Sequence, residues 1–260
     1  MPKRSKATLK KKAKRLIIIG ALLALIPALG FAESLRNISV VSFTYYFDNS
    51  FWLSAEDVFI IRLIPELSLQ LKVGHYDDLA GNYENVFFLG TILSFNPNLY
   101  LDACYGLGLD ASLQFSHRAE LNFNYENDAS LLQIGARAFY LPKNEYFYII
   151  PSAGGKFLLS DWLYLFNKIF LSLASASTIA GSYWVELGWI TGQLLTIRTG
   201  ATVSWTATMG YAALIGLNFT LSPNFLIRYH FQFLANCITY DNPQQAQYGI
   251  ENGLFIDIRF

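Results

Sequence analysis

Charge is what this sequence has least of. Asp, Glu, Lys and Arg make up 15% of its 260 residues, against about 25% in soluble domains. That scarcity excludes a disordered chain and a nucleic-acid binder, because both depend on dense charge. Chemical signatures are missing too. There is no Gly-x-Ser-x-Gly elbow, no His-Glu-x-x-His pair and no EF-hand spacing, so no catalytic residue, metal site or cofactor is assigned. Long apolar helical runs are absent beyond residue 29. Thr199–Ile227 carries no charge for 29 residues, but Gly200, Gly210, Gly216 and Pro223 interrupt it. Its mostly apolar part, Tyr211–Leu221, is too short for the ~20 residues of a helical span. What the chain has in abundance is apolar and aromatic residues, 53% and 16%, with 16 Tyr, 21 Phe and 5 Trp.

The net charge of +0 conceals an uneven distribution. Eight of the 19 Lys and Arg residues lie within Met1–Arg15, leaving 11 basic and 19 acidic side chains beyond them, a balance of −8. After the basic start comes the apolar stretch Leu16–Leu29, then Gly30-Phe31-Ala32 with small residues at −3 and −1 of a cut before Glu33. This is the three-part pattern of a secretory signal peptide over residues 1–32. A retained anchor helix is the competing reading, but the stretch of 14 residues is short for a span. The mature chain, 33–260, is expected to leave the cytoplasm.

The body alternates with period two. Asn224, Leu226, Arg228, His230, Gln232, Leu234 and Asn236 share one face of Asn224–Cys237, while Phe225, Ile227, Tyr229, Phe231, Phe233, Ala235 and Cys237 share the other. Leu67–Tyr76, Leu113–Tyr125 and Leu195–Trp205 alternate in the same way. A soluble sandwich also alternates, but these segments run 10 to 14 residues. Ordinary strands have about 5–6 residues, and a tilted membrane strand needs ~9–11.

Fourteen such segments start near Ile38, Asp57, Leu67, Asn85, Asn98, Leu113, Ser130, Tyr146, Trp162, Tyr183, Leu195, Met209, Asn224 and Asn252. Short turns follow the even ones, at Pro65-Glu66, Asn96-Pro97, Glu126–Asp128, Ser160-Asp161, Gly192-Gln193 and Ser222-Pro223. Longer links follow most odd ones: Asp48–Glu56, Asp77–Glu84, Ser175–Ser182 and Ile238–Gly249. The expected fold is all-β: a transmembrane antiparallel up-and-down β-barrel of fourteen strands with both termini on the side of the short turns, the periplasm. Twelve strands is the alternative, because Tyr146–Leu159 contains Pro151 and Gly154-Gly155, with a bulge expected there, and Trp162–Ala174 alternates poorly around Asn167 and Lys168.

At the C-terminus, Leu254, Ile256, Ile258 and Phe260 alternate and end in a terminal Phe. This resembles the assembly signal of bacterial outer-membrane β-barrel proteins of the Gram-negative envelope. The resemblance implies periplasmic chaperones and the barrel-assembly machinery as transient partners, and outer-membrane lipid as the final surroundings. The strand rhythm is also similar to the YaiO type of outer-membrane barrel.

Parity places Arg62, Lys72, Arg118, Arg137, Lys156, Lys168, Arg198, Arg228 and Arg259 in the lumen, nine of the 11 basic residues of the mature chain. A charge on the lipid face near midplane would cost about 2–4 kcal/mol. Acidic lumen candidates are Glu84, Asp102, Asp110, Glu120, Glu186 and Asp257, a surplus of three basic groups. The resulting expectation is a porin-like passive channel for small polar solutes with modest anion preference. One alternative is a structural or surface-interaction barrel with a side-chain-filled lumen, in which Arg62, Arg118 and Arg137 pair with Glu120, Asp102 and their neighbours. The other is a lipid- or peptide-hydrolysing enzyme.

For hydrolysis the three His offer little. His75 lies beside Asp77 and Asp78, His117 is sent to the face opposite Ser116, and His230 is lumenal. The outer links collect Asp48, Glu56, Asp57, Asp77, Asp78, Glu84, Glu145, Asp241 and Glu251 against Lys143, which reads as a solvated surface or a weak divalent-cation site. Cys104 and Cys237 fall on strands five and thirteen, nearly opposite in the ring, and are expected to be free thiols. Nothing in the sequence sets the oligomeric state or the solute.

Overall fold

The computed structural model describes residues 34–110, 115–142, 145–174, 179–206, 208–238 and 247–260. The leader, Lys143 and Asp241 lie outside them. The described residues form fourteen strands: β1 (Ser34–Tyr46), β2 (Phe51–Ile64), β3 (Leu67–Asp77), β4 (Tyr83–Asn96), β5 (Leu99–Asp110), β6 (Phe115–Glu126), β7 (Ser130–Leu141), β8 (Tyr146–Ser160), β9 (Leu163–Ala174), β10 (Ile179–Ile190), β11 (Leu195–Trp205), β12 (Met209–Ser222), β13 (Phe225–Cys237) and β14 (Gln247–Arg259). Each pairs antiparallel with its sequence neighbours, and β1 pairs with β14 to close the barrel. Closure leaves no unpaired edge, which is what lets strands stand in lipid.

Strands of 11 to 15 residues suit a tilted crossing of hydrocarbon. The outward parity is mainly apolar: Val41, Leu89, Leu107, Leu121, Ile134, Ile215 and Leu254 are all exposed, while Asp57 is an acid on that face and accepts a hydrogen bond from Ser39. Phe95, Tyr125, Trp162 and Phe260 ring the end with the short turns, and Phe47, Phe51, Tyr140, Phe147, Tyr211 and Tyr248 ring the other. Two such girdles mark the levels of the lipid headgroups.

The short turns fall within a residue or so of their expected places, and a register shift precedes several of them, at Arg62/Ile64, Ser94/Asn96, Leu158/Ser160 and Thr220/Ser222. The links at the far end are shorter than expected. The connection placed at Asp48–Glu56 is a turn at 47–50, because Phe51–Glu56 already pairs with β1. Likewise Glu84 pairs in β4 and Glu251 in β14. With Asp57 in β2 and Asp77 closing β3, five acids assigned to the outer links therefore sit on strands.

The twelve-strand alternative fails, since both doubtful segments pair on both sides. The expected bulge at Pro151 is also absent. Register between β8 and β9 is the same at Ile149↔Leu173 and Ser152↔Phe170; only the two rungs between them are missing. Pro151 has no N–H to donate, so the ladder skips there without shifting. The bulge near the far end is in β13 instead, between Leu234 and Cys237, where Asn236 has φ of 53°. The extra residue turns Cys237 inward, reversing its parity. Cys237 packs on Ala212 and Leu234, and Ile238 behind it is wholly buried against Ile150, Phe170 and Ala180 from the other side of the lumen.

Candidate functional site

Strand pairing fixes which residues share a face, so the lumen can be read from the ladder. All nine basic residues placed inside by parity do face inward, and Arg36 joins them because it pairs with Arg259 and Ile60. Arg36 is missed when the first strand is begun at Ile38; stepping back by twos from Thr44 and Ser42 would have reached it. Glu56, Glu126 and Glu251 join the acids, giving ten basic against nine acidic lumen residues, a surplus of one rather than three. The inner wall is not polar throughout. Ile38, Val40, Val58 and Ile60 line it along β1 and β2, two strands whose alternation gives little contrast in the sequence.

The charges form three tiers. Near the short turns, Arg36 grips Asp257 with two hydrogen bonds, Nε to Oδ1 at 2.8 Å and Nη2 to Oδ2 at 2.7 Å. Arg259 Nη2 lies 3.8 Å from the same carboxylate. Arg198 Nη1 meets Glu186 Oε2 at 3.2 Å, and the Tyr164 hydroxyl donates to Glu186 Oε1 at 3.0 Å. Gly188 and Gly216 permit this: a Cβ at the first would collide with the Tyr164 ring and at the second with the Arg198 guanidinium. Lys156 Nζ sits 4.3 Å from the centre of the Tyr164 ring, and Arg228 Cζ 4.6 Å from that of Phe255. Between these walls is a cavity of about 1050 Å³ whose lining includes Arg36, Arg62, Lys156, Arg198, Arg228 and Arg259, against Glu126, Asp128 and Glu186.

At mid-barrel, Lys72 Nζ bridges Glu56 at 2.9 Å and Glu120 at 3.8 Å, and Arg137 Nε reaches Glu120 at 3.4 Å. Lys168 Nζ lies 3.5 Å from Gln133 Oε1. Near the far end, Arg118 pairs with Glu84, which also accepts from Ser116, and Tyr76 donates to Glu56. The Arg118 guanidinium lies about 5 Å from the rings of both Tyr76 and Phe139.

Of the pairings expected from sequence, Arg137–Glu120 is present. Arg118 takes Glu84 instead, and Arg62 Nη2 donates to the Pro65 carbonyl at 3.3 Å. The acids read as an outer acidic surface are, at Glu56 and Glu84, the counter-charges of lumen cations. Both cysteines are free. His75 Nδ1 is 2.9 Å from Asn85 Oδ1, His117 Nδ1 is 2.5 Å from the Tyr105 hydroxyl on the lipid face, and His230 Nε2 is 3.1 Å from Glu251 Oε1 in the lumen. Among the described residues no Ser–His pair forms, and no group of three or more potential metal ligands is found.

No protein-family model and no curated protein matches the chain. Solved structures do. The CymD monoaromatic hydrocarbon channel aligns with TM-score 0.58 at 10% identity, covering 91% of this chain and 90% of its own. A bacterial polysaccharide outer membrane secretin gives 0.57 at 8% identity, covering 86% and 98%. OmpF of Salmonella typhi, solved in complex with daunomycin, gives 0.50 at 8% identity, covering 87% and 97%. These comparisons add nothing for the YaiO-type likeness. They agree with the closed antiparallel ring on one point: the fold is that of the bacterial outer-membrane β-barrels.

Proposed function

We propose that the protein is an outer-membrane channel for small polar solutes with a modest preference for anions. The observation that carries this reading is the cavity of about 1050 Å³ at the short-turn end, where six inward basic residues outnumber three acids. A cationic vestibule lowers the barrier to anion entry. With both termini in the periplasm, as short turns on that side favour, the vestibule opens inward. A solute then meets the Lys72–Glu120–Arg137 tier, whose fixed charges of both signs discriminate less.

Steady currents across a planar bilayer are expected, with a reversal potential in a salt gradient that favours anions. The preference should weaken as ionic strength shortens the Debye length below about 10 Å, its value at 0.1 M. Arg118→Gln combined with Arg198→Gln should move the reversal potential toward cations, since each change also strips the counter-charge from a glutamate. Clear cation preference in the wild type would overturn the anion reading.

A second reading has its own observation. Val86, Phe88, Leu234 and Ile238 are almost wholly buried inside the barrel toward the far end, as a side-chain-filled structural barrel requires. Silence in the bilayer from correctly folded protein would favour it.

A further inference from the structure

We infer that the vestibule wall between β8 and β13 is a binding site for a small hydroxycarboxylate, an inference that rests on the channel reading and gives it a solute class. Eight of the ten lumen cations have polar partners: Arg36, Lys72, Arg118, Arg137, Arg198 and Arg259 lie against carboxylates, and Arg62 and Lys168 bond to oxygens of Pro65 and Gln133. Lys156 and Arg228 differ. Among the described residues neither has an ion pair or a hydrogen bond, and each rests instead on an aromatic face, Tyr164 or Phe255. A ring holds a cation in place without neutralising it. Both cations are therefore positioned and still carry full charge toward the lumen.

They converge on one hollow of about 540 Å³, which Tyr164, Thr196, Asn218 and Thr220 also line. Two unneutralised cations five strands apart on one concave wall call for an anion that reaches both, and a carboxylate takes charge-assisted hydrogen bonds from either. The rest of the lining calls for hydroxyls. Thr196 and Thr220 can donate and accept. Asn218 Oδ1 is buried with no hydrogen-bond partner, an acceptor that a ligand hydroxyl would satisfy. Asp161, in the turn before β9, is the carboxylate lining the hollow, with Glu186 bonded to the Tyr164 hydroxyl and to Arg198 beside it; together they limit how much anionic charge the ligand can carry.

Isothermal titration calorimetry on the folded protein in detergent, at low salt, tests this with sodium gluconate as probe. Gluconate should bind. Sorbitol, which lacks the carboxylate, and hexanoate, which lacks the hydroxyls, should each bind about tenfold more weakly or worse. Lys156→Gln and Arg228→Gln should each weaken gluconate by about tenfold, and Asn218→Leu should shrink its advantage over hexanoate. Circular dichroism confirms that the variants are folded; should one fail, the loss of wild-type binding as sodium chloride is raised reads the same charge dependence. Gluconate binding no tighter than sorbitol, or binding unchanged in folded Lys156→Gln and Arg228→Gln, overturns the site. The bilayer separates this failure from that of the channel: binding without current keeps the site and removes transport, whereas current without binding does the reverse.

Discussion

At the scale of single residues, the lumen is organised by counter-charge. Lys72 bridges two glutamates while largely withdrawn from solvent, so its loss leaves Glu56 and Glu120 facing each other with one cation, Arg137, still at hand. Lys72→Gln is expected to lower stability by about 1–3 kcal/mol, read from urea unfolding in lipid vesicles, and to shift bilayer selectivity toward cations. A retained unfolding midpoint would show that water already neutralises this tier. Outside the membrane, hydrogen bonds from Ser50 hold the Asp48 carboxyl below its ordinary 3.8, and Asn82 does the same for Asp78. A depressed carboxyl stabilises the folded turn above its ordinary pKa, and that contribution fades as pH falls through the depressed value. The amide resonances of Ser50 and Asn82 should therefore hold their positions down to about pH 4 and move only below it. Movement already at neutral pH would count against these bonds.

Elements show which parts of the fold were legible in the sequence. β6, β11 and β13 alternate cleanly, so parity alone places Arg118, Arg198 and Arg228. The nine inward basic residues follow from the cost of charge in lipid rather than from any motif. Partners across the lumen were not legible, because Arg118 meets Glu84 through the stagger of β4, β5 and β6 and no sequence spacing encodes that. Loop lengths were overestimated because polar residues at strand ends, such as Glu56 and Glu251, read as loop although they pair. The missing donor at Pro151 reads as a bulge in the sequence, whereas the bulge lies at Asn236, where a left-handed residue turns the chain inward. Pro151 makes the element-scale prediction. Since register is kept across the gap, Pro151→Val should restore a donor toward β9 and raise stability by about 1 kcal/mol. A lower urea midpoint would mean that proline's fixed φ is itself needed in β8.

For the whole molecule, the decisive feature is the seam. β14 is held on one side by β13 and on the other by β1 in unbroken register from Arg36↔Arg259 to Tyr46↔Gly249. Phe260 takes part: its N–H donates to the Leu35 carbonyl at 2.8 Å, and the residue is 72% exposed. Deleting Phe260 should sharply reduce the folded, heat-modifiable form in outer-membrane fractions, scored on gels without boiling. Normal levels of folded protein would remove the assembly role assigned to Leu254, Ile256, Ile258 and Phe260. Circular dichroism of the refolded chain should be dominated by β-structure, and a helical spectrum would be incompatible with the ring.

The Arg36–Asp257 clasp joins side chains 221 positions apart, and this has a consequence in time. A ribosome must release almost the entire chain before its first and last strands can meet, so no portion of the ring closes while synthesis is under way. Until then every strand end is an open template for pairing with another molecule. Contacts of such separation also form slowly, because the entropy of joining the ends is lost before the pairing rewards it. A nascent copy broken off early is thus an unsealed sheet rather than a smaller barrel.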